Sequence, residues 1–218
     1  MFPLRDVIPS RTTPYITVTI IVLNALLWLV EISMPRQELN DFLFQNGIVP
    51  AAFSAPTLVT SMFLHGSWSH VIGNMWYLWI FGDNVEDRVG HGRFVVFYLL
   101  CGIAAAVGQV AMDPQSALPM IGASGAIAGV MGAYFVLYPQ SRVLTLVPLF
   151  FYYEIFEVPA IFLLGFWFLM QLFSAGAIAT MASTGGGVAF MAHVAGFIVG
   201  LIGVFVFRKP ERPQERWV

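Results

Sequence analysis

Apolar runs long enough to cross a bilayer, broken by short polar stretches, set the pattern of this chain. A helix needs roughly 20 mostly apolar residues to span the hydrocarbon core. Six segments meet or approach that length: Tyr15–Ile32, Gly66–Phe81, Phe94–Met112, Ala117–Tyr138, Val158–Thr180 and Val188–Phe207. The second is the least apolar, because Ser67, Ser69, His70 and Asn74 interrupt it. The pattern predicts an all-α, polytopic membrane protein built as a bundle of six transmembrane helices. It reads as one domain over residues 1–218 with short tails at both ends.

The connections differ in character. Ser33 to Thr60 is long, amphipathic and punctuated by Pro35, Pro50 and Pro56, which predicts a partly embedded loop. Leu144–Tyr153 is apolar and aromatic but too short to span, and Pro148 interrupts it; an interfacial or re-entrant piece is expected there. Ser174–Gly187 is rich in Gly, Ala and Ser and reads as a mobile connection. The first segment follows Arg5 and Arg11 and is longer than a signal-peptide core, so it reads as an uncleaved anchor.

Composition and charge narrow this further. The 218 residues are 58% hydrophobic and only 10% charged, with a mean hydropathy of +0.79. A soluble domain carries about a quarter charged residues, so a fully water-exposed surface is excluded. A formal net charge of −2 gives no basis for binding nucleic acid. With six spans, one side of the membrane collects every lysine and arginine except Arg36. That asymmetry places both termini in the cytoplasm. Cys101 is the single cysteine, in an apolar stretch, and reads as a packed, inert thiol.

Polar groups inside spans are costly and point to function. His65, His70 and His193 lie in or beside apolar segments, whereas no acid lies well inside one. That discourages proton-pump or cation-carrier chemistry, and the zinc-protease pattern His-Glu-x-x-His is absent. The fourth segment contains Gly122-Ala123-Ser124-Gly125, with Gly129 four residues on; the sixth contains His193, Gly196 and Gly200. Small residues spaced by four let membrane helices pack closely, so one serine and one histidine sit on helices able to meet. A serine hydroxyl is a weak nucleophile until a base such as neutral imidazole takes its proton. In the second segment His70 and Asn74 share a helical face, and both side chains can donate to a developing oxyanion. Taken singly, each feature is more often packing than catalysis: Asn24, for example, reads as a bridge between helices. Their weight lies in occurring together.

Three motifs in order complete the pattern: His65-Gly-Ser-Trp-Ser-His70-Val-Ile-Gly-Asn74, Gly122-Ala-Ser124-Gly125 and Ala192-His193-Val-Ala-Gly196. With six spans and a long first loop, the chain resembles the rhomboid family of intramembrane serine proteases over nearly its whole length. The resemblance implies a dyad of Ser124 and His193. It also implies an oxyanion hole from His70, Asn74 and the Ser124 N–H, with Gly122, Gly125, Gly129, Gly196 and Gly200 packing around the site. The substrates it implies are transmembrane proteins in a lipid bilayer, with no metal or organic cofactor; a bacterial cytoplasmic membrane is the expected location. Two positions depart from some relatives. Ala128 stands where they have an aromatic residue against the catalytic histidine, so either another ring, such as Phe190 or Phe197, supports His193 or its orientation is looser. Pro56-Thr57 replace a Trp-Arg pair in the first loop. A non-proteolytic client-binding protein, or a small channel or transporter, are the alternative readings.

Overall fold

The computed structural model describes residues 2–149, 151–180 and 189–210. Long helices dominate it: α1 (Tyr15–Ser33), α4 (Trp68–Val89), α5 (His91–Met112), α6 (Ser124–Leu137), α7 (Ala160–Thr180) and α8 (Phe190–Phe207). The loop after α1 adds α2 (Arg36–Asn46) and the single turn α3 (Thr57–Thr60). Among the described residues, α1, α5, α7 and α8 are long and apolar enough to cross a membrane. Their outer faces are apolar and exposed, as at Val22 and Leu26 on α1, Phe162 and Phe173 on α7, and Ile202 and Val206 on α8. Lipid is the solvent that suits such faces.

α6 is the hub, packed against α4, α5, α7 and α8, and every residue from Gly125 to Tyr134 is buried. Its 14 residues make a helix about 21 Å long, shorter than the roughly 30 Å hydrocarbon core. Hydropathy placed this span from Ala117, but the helix begins at Ser124. Residues 117–123 are apolar without being helical: Met120 exchanges backbone hydrogen bonds with Ile48, and the Gly122 N–H donates to the Ser61 carbonyl at 2.9 Å. The backbone groups that the missing helix would have paired are paired to the loop instead.

α4 extends the other way, past Phe81 to Val89. Its last turns carry acids that receive the N-terminal segment. Buried Glu86 accepts from the backbone N–H groups of Ile16 (3.0 Å) and Thr17 (2.8 Å), capping α1 from a neighbouring helix. A carboxylate satisfies the orphan donors of a helix start and complements its dipole. Asp87 accepts from the Thr12 N–H, three residues before α1, at 2.9 Å and so holds the approach to the helix.

A three-stranded antiparallel sheet was not expected. β1 (Phe2–Asp6) pairs with β2 (Arg142–Leu149), which pairs with β3 (Tyr152–Pro159). The Leu144–Tyr153 stretch, expected as an interfacial or re-entrant piece, runs from Leu144 of β2 to Tyr153 of β3 and so contributes to this strand pair. Its β-branched and aromatic content suits a ladder, and Arg142 and Glu157 join the two strands by an ion pair of 3.0 Å. Val158 lies in β3, which ends at Pro159, so α7 starts two residues later than expected. α7 then runs to Thr180, through the stretch from Ser174 read as a connection; residues 181–187 of that connection, like Val188, Arg212 and Arg216, lie outside the described residues. Asn24 donates to the Ile20 carbonyl of its own helix at 2.8 Å and so is not seen bridging helices.

Candidate active site

The site begins with a contact between backbones. A Cβ added to Gly196 would overlap the Gly125 carbonyl oxygen, and one added to Gly200 would overlap that of Gly129. Gly132, which the sequence reading left out, meets the Phe197 carbonyl in the same way. α6 and α8 thus touch along three successive turns with no side chain between them, the close approach that small residues permit.

That contact brings the two ends of the predicted pair together. Ser124 is the first residue of α6, and its Oγ lies 2.8 Å from Nε2 of His193, in the first turn of α8. As the opening residue of a helix, Ser124 also has a backbone N–H outside the intrahelical ladder. The other imidazole nitrogen, Nδ1, lies 2.8 Å from Oε1 of Gln171 on α7. Trp167, one turn earlier on α7, tilts against the imidazole at 5.7 Å between centroids, and Phe190 meets it edge-on at 6.5 Å. Phe197 does not support His193: it stacks on Phe168 at 4.7 Å and borders Trp167 and Phe135. The ring missing at Ala128 is replaced from α7.

The sequence reading missed Gln171 and Trp167. The available signal for Gln171 was an amide in an otherwise strongly apolar span, which by the cost of intramembrane polarity should have been singled out. For Trp167 there was none, since an aromatic residue in such a span is ordinary.

On the opposite side of Ser124, Gly122 turns the chain into α6 with φ +124°, a conformation that favours glycine. A Cβ there would lie 2.7 Å from Nε2 of His70 and 3.8 Å from Nδ2 of Asn74. Both α4 donors therefore face the backbone two residues before Ser124. Each is oriented by a neighbour. Asn74 Nδ2 donates to Nε2 of buried His65 at 2.9 Å, which engages one amide hydrogen and leaves the second for the site. The Gly66 N–H approaches Nδ1 of His70 at 3.5 Å, favouring the tautomer with its proton on Nε2. His65 is held in turn by Glu31, fully buried at the end of α1, which accepts its backbone N–H at 3.2 Å.

A cavity opens beside this cluster, lined by Ser61, Met120, Ile121, Gly122, Ser124 and Ala189 among others. Among the described residues no group of His, Cys, Asp or Glu is arranged to hold a metal ion. Cys101 is buried in the core against Gly129.

Compared with known families, residues 53–210 match the Rhomboid domain. The chain belongs to the rhomboid family. This rhomboid is an integral, multi-pass membrane protein with a predominantly helical fold. It is 27% identical to Rhomboid protein 1, mitochondrial, of Saccharomyces cerevisiae over 165 residues, which cover 73% of this chain and 44% of the yeast protein. It is 30% identical to Rhomboid-like protein 11, chloroplastic, of Arabidopsis thaliana over 114 residues, 49% of this chain and 39% of the plant protein. A shorter match, 40% identical over 76 residues, joins it to Rhomboid protease GluP of Bacillus subtilis, covering 35% of this rhomboid and 14% of GluP. The matched stretch is less than half the length of each of these relatives.

Proposed function

We propose that this rhomboid is an intramembrane serine protease that hydrolyses peptide bonds in or near the transmembrane segments of other membrane proteins. The observation that carries the reading is the 2.8 Å contact between Ser124 Oγ and His193 Nε2, flanked by donors on its far side. The name of GluP, a rhomboid protease, agrees with it.

In this reading His193 Nε2 takes the hydroxyl proton as Ser124 Oγ bonds to the peptide carbonyl carbon. The carbonyl oxygen becomes an oxyanion, received by His70 Nε2–H, the free Asn74 Nδ2–H and the Ser124 N–H. Preorganised donors aimed at developing charge are the largest single contribution in such reactions. The imidazolium then protonates the departing amine as the C–N bond breaks. Water, deprotonated by the same imidazole, releases the acyl group from Ser124. The small residues that join α6 to α8 act here by holding nucleophile and base in register.

The chain acts as one membrane domain whose partners are transmembrane substrates and the surrounding lipid. The clustering of basic residues supports cytoplasmic termini, and we assign the protein to a bacterial cytoplasmic membrane. A serine-reactive fluorophosphonate tests the nucleophile: it should label the wild-type protein and leave Ser124→Ala unlabelled. Equal labelling of both would remove Ser124 from this role, and no labelling of either would favour a client-binding protein.

A further inference from the structure

The base of the proposed dyad has a partner that no acid supplies. His193 is held at both nitrogens: Nε2 by Ser124 Oγ and Nδ1 by Gln171 Oε1, each at 2.8 Å. Two hydrogen arrangements satisfy such a geometry. If the amide carbonyl accepts from Nδ1–H, Nε2 keeps its lone pair and the serine hydroxyl donates to it. If the amide is turned so that its NH2 donates to Nδ1, the proton moves to Nε2, and the imidazole becomes a donor to Ser124. Only the first leaves a base facing the hydroxyl, and it is the arrangement in which Oε1 faces the ring.

We propose that Gln171 is a positioning residue that fixes His193 in the Nδ1–H tautomer, through a hydrogen bond from the ring to its side-chain carbonyl. The proposal rests on the hydrolase reading above and adds to it. The amide is well placed for the task. Gln171 and Trp167 are four residues apart on α7, so one helical face presents both the acceptor for Nδ1 and the ring that borders the imidazole. α6 and α8 bring Ser124 and His193 together, and α7 then selects which nitrogen carries the proton. A neutral acceptor does this without burying a second charge, which would be costly in the apolar layer. Holding the tautomer and orientation of a catalytic histidine is the recognised task of the third residue in serine hydrolases; here an amide performs it from a neighbouring helix.

The test uses the full chain labelled with 15N in its four histidines, with His193 assigned by the signal lost in His193→Ala. In wild type the His193 proton should reside on Nδ1. Gln171→Met keeps the length of the side chain and removes the strong acceptor. It should give a mixture of tautomers, and turnover of a transmembrane reporter should fall about tenfold to a hundredfold with KM little changed. Gln171→Glu restores an acceptor, and should return the proton to Nδ1 and most of the turnover. A wild-type His193 that carries its proton on Nε2 overturns the proposal. So does a Gln171→Met protein with the wild-type tautomer and turnover. A wild type that shows the Nδ1 proton but cuts nothing would instead overturn the hydrolase reading, leaving the hydrogen bond itself established.

Discussion

Gly196 of α8 lies so close to the Gly125 carbonyl of α6 that a methyl group at its Cα would overlap the oxygen. Backbone, unlike the end of a flexible side chain, cannot turn aside. Gly196→Ala should therefore force the helices apart one turn from His193. Overpacking of this kind costs about 1–3 kcal/mol, and a displacement of about 1 Å can cost a hundredfold in rate. Gly200→Ala, tight against Gly129 but a turn further from the site, should lose comparable stability and less rate. Gly176→Ala is the control, since among the described residues nothing lies within 4 Å of a Cβ there. Thermal unfolding in detergent beside reporter cleavage checks all three; a Gly196→Ala protein as stable and active as Gly176→Ala would contradict the packing account.

Asn74 gives one amide hydrogen to His65 and, in our reading, the other to the oxyanion. Asn74→Ala should lower turnover roughly tenfold to a thousandfold, the range for losing one such donor. Serine-probe labelling should persist, because nucleophile and base are untouched. Full turnover in this variant would take Asn74 out of the oxyanion hole.

The small-residue stripes on both helices could be read from the sequence because close approach has few chemical solutions: glycine at a spacing of four. The same holds for Ser124, His193, His70 and Asn74, polar groups standing out against an apolar background. What could not be read depends on partners distant in sequence. Ala117 to Ala123 are apolar enough to be helix, and only the pairing of Met120 with Ile48 and of Gly122 with Ser61 shows why they are not. The sheet depends on Phe2–Asp6 finding a strand some 140 residues away, and no local periodicity in five residues announces that. Gln171 was visible as an isolated amide, but its meaning came only with α7 packed beside His193.

The sheet also carries a pH dependence. Asp6, in β1, accepts a hydrogen bond of 2.6 Å from the Tyr134 hydroxyl and faces Asn84 and the nearby Asp83 carboxyl. Burial pushes its pKa up to about 6, so the folded protein holds a proton there that the unfolded chain releases. The associated stability is complete below the ordinary Asp range near pH 4 and is lost as pH rises through about 6. Wild type should therefore melt at a falling temperature between about pH 4 and pH 7 relative to Asp6→Asn, which has no such proton to lose. Parallel melting curves across that window would remove Asp6 as the source.

The central claim is that Ser124 and His193 act as a unit on a peptide bond. Its most direct measurement is the rate at which the purified, reconstituted protein cuts a transmembrane reporter, compared among wild type, Ser124→Ala, His193→Ala and the double variant. The account predicts cleavage by wild type alone, with each single variant as inactive as the double, because removing either partner disables the pair. A folded Ser124→Ala or His193→Ala protein that still cuts at near wild-type rate would contradict it.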